Sequence, residues 1–250
     1  MIYSLLMPKS FQYEILENLI SKNYSLIKGS EFKSFLFFEP SIWKEFQESW
    51  NNLAIDHCMN DGGKYRYRKY LTLEYDNSFN KIIEKPGEPH YQYKQFNDLN
   101  GGIKRYFEPI EEKIKNNLIF ISILDFCINF FKHINLDRNW HIEVHQFRII
   151  AKENSQGLPT PEGIHRDGVT YAFIMLVGKE NIVGGESHIY DNDKHPLVNY
   201  VLEDPLDCSF LDDAKLMHSV SPIKPLINHE DAYRDTLVIT FTEIKPDKKN

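Results

Sequence analysis

The sequence is poor in cysteine and contains no paired-cysteine motif. Its three cysteines, Cys58, Cys127 and Cys208, lie far apart and form no C-x-x-C spacing. Because an odd number of thiols cannot pair completely, the pattern argues against the disulfide framework of a small secreted protein. No zinc signature or phosphate-binding glycine loop is evident. We expect buried thiols and a reducing, cytoplasmic location.

Long apolar runs are also missing. The segment MIYSLLMPKSFQYE has neither the basic start nor the apolar centre of a secretion signal. The longest apolar stretch, LIFISILDFCINFF at 118–131, is interrupted by Asp125 and Asn129. We therefore expect neither export nor membrane insertion. A formal charge of −7 disfavours nucleic acid and anionic lipid as partners, which leaves a small molecule as the expected partner.

What the sequence does contain suits one large packed domain. The chain has 250 residues, of which 42% are hydrophobic and 14% aromatic. Helical periodicity recurs over 10–22, over 41–56 and from 109 to about 132. Between the last two stretches, KYRYRKYLTLEYD at 64–76 alternates like a strand.

The sequence pattern changes from helical to strand-like after Asn139. Six short β-branched or alternating runs follow, separated by turn residues: IEVHQFRIIA, TYAFIMLV, ESHIYD, CSFLDD, AKLMHSVS and DTLVITFTEI. They predict a jelly-roll barrel at about 140–245. The expected fold is α+β with a mainly β core, and residues 1–250 form a single domain in which about 1–135 supply a helical brace and extra strands.

His165 and Asp167 form an H-x-D triplet in PEGIHRDGVTY at 161–171. A second triplet, His229 and Asp231, shows how little the triplet means alone. An iron(II) oxygenase site needs two imidazoles and one carboxylate on one face of the metal. His218, dozens of residues later in the alternating LMHSV, supplies the second imidazole for His165 and Asp167, whereas no histidine follows His229.

Two other interpretations of the first triplet stay open at this point. One is a surface turn in which Asp167 caps a backbone amide and His165 is solvated. The other is a noncatalytic cupin-like barrel that binds zinc or manganese, which the same ligand types suit.

A candidate co-substrate site follows on a later strand. A 2-oxo diacid that chelates iron needs a cation at its far carboxylate, and Arg234 opens the run RDTLVITF. Period-two geometry places Thr236 on the same face, where its hydroxyl can share that carboxylate. The alternative is that Arg234 pairs with a protein carboxylate near Asp235.

The sequence resembles the iron(II)/2-oxoglutarate dioxygenase superfamily, and within it the bacterial group of free amino-acid hydroxylases that includes L-isoleucine 4-hydroxylase. The similarity covers roughly residues 50–243. Its blocks occur in the same order: DGGKYRYRKY, PHYQ, NGGIKRYFEP, PTPEGIHRDG, NIVGGESHIYD, LMHSVSPI and YRDTLVITF.

The resemblance implies a double-stranded β-helix fold in which His165, Asp167 and His218 bind iron(II). It implies that Arg234, helped by Thr236, binds 2-oxoglutarate. It further implies hydroxylation of a free L-amino acid, with 2-oxoglutarate and O2 converted to succinate and CO2. An oxygenase acting on another metabolite, a peptide or a nucleic acid remains the alternative.

Four further features are left open. His145 and Gln146 point to opposite faces of a strand, so only one can face the barrel interior. Alternation in KYRYRKY predicts tyrosines on one face and Arg66 and Arg68 on the other, on an edge strand near the pocket. One of these arginines, with His90, Tyr91 or Gln92 of PHYQ, is a further candidate for binding a substrate carboxylate. In GGES at 184–187, a tight turn is favoured over a pocket role for Glu186.

Overall fold

The computed structural model describes residues 9–135 and 137–245, with side chains from Tyr13 onward. Its helices are α1 Lys9–Lys22, α2 Gly29–Phe32, α3 Pro40–Glu48, α4 Glu112–Lys115 and α5 Leu118–Ile134. Single 3-10 turns cover Lys33–Phe35 and Ser49–Asn52. None of these helices in the described ranges is long and apolar enough to cross a membrane.

Two of the predicted helices are shorter than their periodicity suggests. The one predicted over 41–56 ends at Glu48, turns into 3-10 geometry and then enters a strand. The one predicted from 109 is interrupted at Asn117, whose extended backbone and side-chain carbonyl cap α5 by accepting from the Ile119 and Phe120 amides at 3.0 and 3.3 Å. A strong N-cap starts a new helix there.

Thirteen strands are present among the described residues. They are β1 Tyr24–Ile27, β2 Ala54–Ile55, β3 Arg66–Asp76, β4 Lys81–Glu84, β5 Asn139–Ala151, β6 Tyr171–Glu180, β7 Ile182–Gly184, β8 Ser187–Tyr190, β9 Pro196–Tyr200, β10 Cys208–Asp212, β11 Met217–Val220, β12 Ile223–Pro225 and β13 Ala232–Ile244. All six strand runs predicted after Asn139 are confirmed.

The strands form a large sheet and two small ones. The large sheet has the order β1-β10-β6-β13-β5-β3-β2, with β4 also paired to β3. The small sheets are β11-β8-β9 and β12-β7. Every pairing between these strands is antiparallel. This mainly antiparallel β core with helices packed on it confirms the predicted jelly-roll class.

The two faces of the large sheet have different partners because side chains alternate along each strand. On one face, residues such as Trp140 of β5 and Phe241 of β13 join the helix residues Phe46 and Phe131 in one hydrophobic core. The opposite face lines a cavity. The predicted helical brace is therefore packed against the barrel.

Strand β3 differs from expectation in two respects. It pairs with β5 on one side and with β2 and β4 on the other, so it is an interior strand and not an edge strand. Tyr70 lies on the same face of β3 as Arg66 and Arg68 because all three positions have the same parity, and its hydroxyl donates to the cavity-lining Glu143. The predicted separation of all tyrosines from the arginines was wrong at Tyr70.

Candidate active site

A cavity of about 320 Å³ lies on the helix-free face of the large sheet. Side chains of β8, β9 and β11 form its other wall, as Ser187, Tyr200 and His218 show. It is lined by all five residues selected from the sequence: His165, Asp167, His218, Arg234 and Thr236. The surface-turn interpretation of the H-x-D triplet was therefore wrong, since His165 is only 6% exposed.

The two histidines and the aspartate converge on one point. One ligand atom from each of His165, Asp167 and His218 lies within 4.8 Å of the others. His165 Nε2 is 3.6 Å from Asp167 Oδ1, and His218 Nε2 is 3.8 Å from Asp167 Oδ2. Two imidazoles and one carboxylate in this arrangement match the facial triad of non-haem iron sites.

Backbone pairing brings the distant His218 to the triplet. The His165 amide donates to the His218 carbonyl at 3.0 Å, and the His218 amide donates back at 2.8 Å. The two imidazole centroids are consequently 4.4 Å apart. His165 Nδ1 lies 3.0 Å from the Gly163 carbonyl, which can only accept, so Nδ1 carries a proton and Nε2 is the nitrogen that can bind a metal once it is deprotonated.

Asp213 anchors the loop that carries Asp167. Its Oδ1 accepts from the Asp167 amide at 2.9 Å, and its Oδ2 accepts from the Gly168 and Val169 amides at 2.8 and 3.0 Å. Gly168 has φ +82°, and a Cβ there would lie 2.4 Å from the Phe96 ring. This turn therefore requires both a glycine after Asp167 and a carboxylate at 213.

We expect Asp213→Asn to weaken iron binding about 10- to 100-fold, as is typical when a group that supports a ligand is changed. The amide nitrogen would face backbone N–H donors and cannot accept from them, so the free energy of unfolding should fall by about 1–3 kcal/mol. Iron titration and urea unfolding measure the two effects. Asp212→Asn is the matched control, since Asp212 pairs with the exposed Lys215. Equal iron affinity in the two variants would contradict the anchoring role.

The titratable side chains of the site shift one another's pKa values. Burial opposes protonation of His165, but the carboxylates of Asp167 and Glu162 raise its pKa to about 9. Burial and the charge on His165 lower the pKa of His218 to about 4. Burial disfavours the Asp167 carboxylate, yet the neighbouring histidines keep its pKa below its usual value. A metal that binds here must therefore displace the proton of His165.

Arg234 is buried without a protein counter-ion. It is 5% exposed, its Nη2 has no hydrogen-bond partner, and among the described residues no carboxylate lies within 4 Å of the guanidinium. Asp235 instead binds Arg148 through two bonds of 2.7 and 2.6 Å. Pairing of Arg234 with a carboxylate near Asp235 was therefore wrong. Burial lowers the pKa of Arg234 to about 10, so it remains charged at neutral pH.

A second polar cluster lines the same cavity and was largely missed from the sequence. His90 Nδ1 is 3.0 Å from Glu143 Oε2, and His145 Nε2 is 4.0 Å from the same oxygen. Arg68 Nη2 donates to His145 Nδ1 at 2.6 Å, which places the imidazole proton on Nε2. His145 therefore offers no free nitrogen to a metal, and the cluster is a polar wall. Period-two alternation of Glu143, His145 and Phe147 is the signal that predicts it.

The open questions about the His145–Gln146 pair and the GGES block are also answered. His145 faces the cavity, whereas Gln146 lies on the opposite face and donates to Ser49 Oγ at 2.8 Å. Gly184 and Gly185 have φ of +87° and +75° and form the turn that leads into β8. Glu186 does not line the cavity and instead pairs with His188. The structural role favoured for the GGES block is confirmed.

Comparison with known proteins decides the family. A profile of the 2OG-Fe dioxygenase family matches residues 47–240. The chain belongs to the 2OG-Fe dioxygenase family. As a member, it is a 2-oxoglutarate-dependent dioxygenase, an enzyme that uses iron(II), 2-oxoglutarate and O2. The noncatalytic cupin-like interpretation is thereby excluded.

Individual relatives of this 2OG-Fe dioxygenase extend over nearly the whole chain. An L-isoleucine-4-hydroxylase of Bacillus thuringiensis is 26% identical over 228 residues, covering 86% of this chain and 94% of the relative. A 3(1)-hydroxy-L-isoleucine 4-dioxygenase of Pantoea ananatis is 26% identical over 239 residues, with 91% and 95% covered. These two relatives confirm the resemblance to the bacterial amino-acid hydroxylase group.

Solved structures agree with the fold. The crystal structure of a bsmA homolog from Methylobium petroleophilum PM1 superimposes with a TM-score of 0.84 at 28% identity and covers 92% of each chain. The jelly-roll arrangement of this 2OG-Fe dioxygenase is therefore shared with a structure determined by experiment.

Proposed function

We propose that this dioxygenase hydroxylates a free L-amino acid, with 2-oxoglutarate and O2 converted to succinate and CO2. The observation that carries the proposal is the convergence of two imidazoles, a carboxylate and an unpaired buried guanidinium in one cavity. The names of two relatives, which act on isoleucine or hydroxy-isoleucine, support the choice of substrate class. A cavity of about 320 Å³ is also of the size that binds small molecules.

In this proposal His165, Asp167 and His218 hold iron(II). The donor atoms fit the ion because each is a nitrogen or oxygen suited to iron, and because His165 Nε2 is free of a backbone bond. Bound iron(II) would supply the oxidative chemistry that couples 2-oxoglutarate decarboxylation to substrate hydroxylation. Gln92 Nε2 donates to Asp167 Oδ1 at 3.2 Å and orients this carboxylate.

Arg234 and Thr236 would bind the far carboxylate of 2-oxoglutarate. The unpaired Nη2 of Arg234 supplies a charged donor, and Thr236 lies two residues further along the same face of β13. A diacid at this point would compensate the buried positive charge. Both residues are 5% exposed or less, so bulk water is excluded from the contact.

We also propose that residues 1–250 act as a single dioxygenase domain, with the brace at about 1–135 and the site-bearing barrel at about 140–245. Support comes from the shared core, in which Phe46 and Phe131 of the helices pack with Trp140 and Phe241 of the strands. Phe46 and Phe131 are fully buried, so separating the brace from the barrel would expose both.

The decisive experiment incubates the iron-loaded protein with the twenty common L-amino acids, 2-oxoglutarate and O2. Mass spectrometry should show one amino acid gaining a single oxygen, with an equal amount of succinate formed. Reactions without 2-oxoglutarate serve as the control and should show neither product. If 2-oxoglutarate is consumed in a stoichiometric reaction with a different metabolite and no amino acid gains oxygen, the proposed substrate class is wrong.

A further inference from the structure

Three arginines form a second cationic site in the cavity, separate from Arg234. Arg66 and Arg68 lie on β3, and Arg105 lies in the loop that follows β4. They are 6%, 2% and 2% exposed, and all three line the cavity. Backbone bonds of 2.9 and 3.0 Å between Arg105 and His90 hold the loop in place. We call these three residues the arginine cluster.

The arginine cluster carries more positive charge than the protein neutralises. Asp56 is the only carboxylate among the described residues that forms an ion pair with it, at 2.8 Å from Arg66 Nε and 3.6 Å from Arg68 Nη1. Arg66 Nη2, Arg68 Nε and Arg105 Nε are buried and have no hydrogen-bond partner. Buried charged donors without acceptors are unfavourable, so the cluster is suited to an anionic ligand.

Aromatic rings fix the orientation of the central guanidinium. The Arg68 guanidinium carbon lies 3.6 Å from the Phe107 ring centroid and 4.6 Å from that of Phe147. Cation–π contact with these rings restrains the guanidinium plane and leaves donors at its edge. A planar carboxylate is the anion that such edges bind through paired hydrogen bonds.

Arg66 and Arg68 of the arginine cluster lie on a different strand of the large sheet from Arg234. Ile149 of β5 pairs with Arg66 on one side and with Arg234 on the other, so a whole strand separates the two arginines. Adjacent strands lie about 4.8 Å apart, which places the two backbones about 10 Å from one another. The cavity face of the sheet thus presents cationic side chains from two strands, which suits an enzyme that holds 2-oxoglutarate and an amino acid at the same time.

The arginine cluster lies beside the predicted iron ligand. Arg105 Nη2 donates to Gln92 Oε1 at 2.8 Å, and Gln92 Nε2 donates to Asp167 Oδ1. Only one side chain therefore stands between Arg105 and Asp167. A small molecule held at the cluster would lie next to the metal position.

An unpaired acceptor lies on the same side of the cavity. Glu162 Oε2 is buried and has no hydrogen-bond partner. The other carboxylate oxygen, Glu162 Oε1, accepts from Asn97 Nδ2 at 3.5 Å. The same Asn97 nitrogen also donates to Gln92 Oε1 at 3.1 Å. Glu162 is therefore separated from Arg105 by two hydrogen-bonded side chains and carries the opposite charge, and its Oε1 also lies 3.4 Å from His165 Nε2. A zwitterion carries the complementary pair of groups, an anion and a cation one carbon apart.

We propose that the arginine cluster binds the carboxylate of the substrate and that Glu162 accepts its ammonium group, so that the enzyme selects an unmodified α-amino acid by its head group. This inference rests on the proposed function and deepens it. The side chain of the substrate then extends away from the head group within the remaining cavity.

The test of the carboxylate site combines a protein change with a ligand change. Among the twenty common L-amino acids, the one giving the largest thermal shift of the iron-loaded enzyme is compared with its carboxamide by calorimetry. The wild-type protein should bind the acid about 10- to 100-fold more tightly than the amide. Arg105→Met should lose this discrimination while keeping the same KM for 2-oxoglutarate. Arg68→Lys keeps the charge but lacks Nε and the planar pair of guanidinium donors. It is a second variant in case Arg105→Met fails to fold.

Arg138→Met is the matched control, because Arg138 is exposed and pairs with Glu243 on the surface. It should discriminate acid from amide as the wild type does. The inference is overturned if no amino acid binds, if the wild type binds acid and amide equally, or if Arg105→Met and Arg68→Lys retain the discrimination. Loss of discrimination without oxidation of any amino acid would contradict the proposed reaction and still support the carboxylate site.

The ammonium site is tested with Glu162→Gln. The wild type should bind the amino acid about 10-fold or more tightly than the acid that lacks only the amino group, since a charge-assisted bond is lost. Glu162→Gln should bind the two ligands with similar affinity and retain its iron. Retained preference for the amino acid, or loss of iron from this variant, would overturn the assignment of Glu162.

Discussion

His218→Ala should abolish iron binding and turnover together. Removing this imidazole leaves one histidine and one carboxylate, which is short of the three protein ligands that the facial triad needs. Turnover, measured as succinate release, should fall by more than the 10- to 100-fold typical of residues that only support ligands. Metal content of the purified, iron-loaded protein measures the first effect directly.

His229→Ala is the matched control for this experiment. His229 belongs to the second H-x-D triplet, but its side chain is 82% exposed and pairs with Glu153. Its loss should change neither iron content nor turnover. A His218→Ala protein that retained full iron and succinate release would remove His218 from the ligand set.

Arg234→Met should retain iron but raise the KM for 2-oxoglutarate about 30-fold or more. Truncating one partner of a buried, hydrogen-bonded charge pair costs about 2–5 kcal/mol, and 2 kcal/mol corresponds to about 30-fold. Arg234→Lys keeps the charge without the two-pronged donor, so its KM should be intermediate. Steady-state kinetics with the two substrates varied separately measures the effect.

This experiment also separates the two anion sites. If Arg234 binds 2-oxoglutarate and the arginine cluster binds the substrate, Arg234→Met raises the KM for the co-substrate and Arg105→Met raises the KM for the amino acid. The opposite pattern would show that the two sites are exchanged. Arg138→Met should change neither constant.

Sequence periodicity predicted the part of the site that lies on strands. Arg234 and Thr236 share a face because β13 is regular, and His218 is brought to His165 by strand-like pairing. The H-x-D triplet became informative only when the later histidine and the arginine were considered with it.

Residues on loops were harder to select. Gln92, Arg105 and Glu162 lie in irregular segments, so no periodicity states which way their side chains point. Asp213 follows β10, and the amides of the Asp167 loop that it binds lie 44 to 46 residues away in the sequence. Nothing in the sequence around Asp213, which directly follows Asp212, indicates that its side chain accepts hydrogen bonds from three backbone amides. Tertiary closure, and not local preference, brings these groups together.

The register between β5 and β13 also determines whether a positive or a negative side chain of β13 faces the cavity. A slip of β13 by one residue would turn Arg234 away and present Asp235 to the cavity. The same slip would withdraw Leu237, Ile239 and Phe241 from the helices, where all three are fully buried. Hydrophobic packing on the outside of the barrel therefore determines that its interior attracts anions.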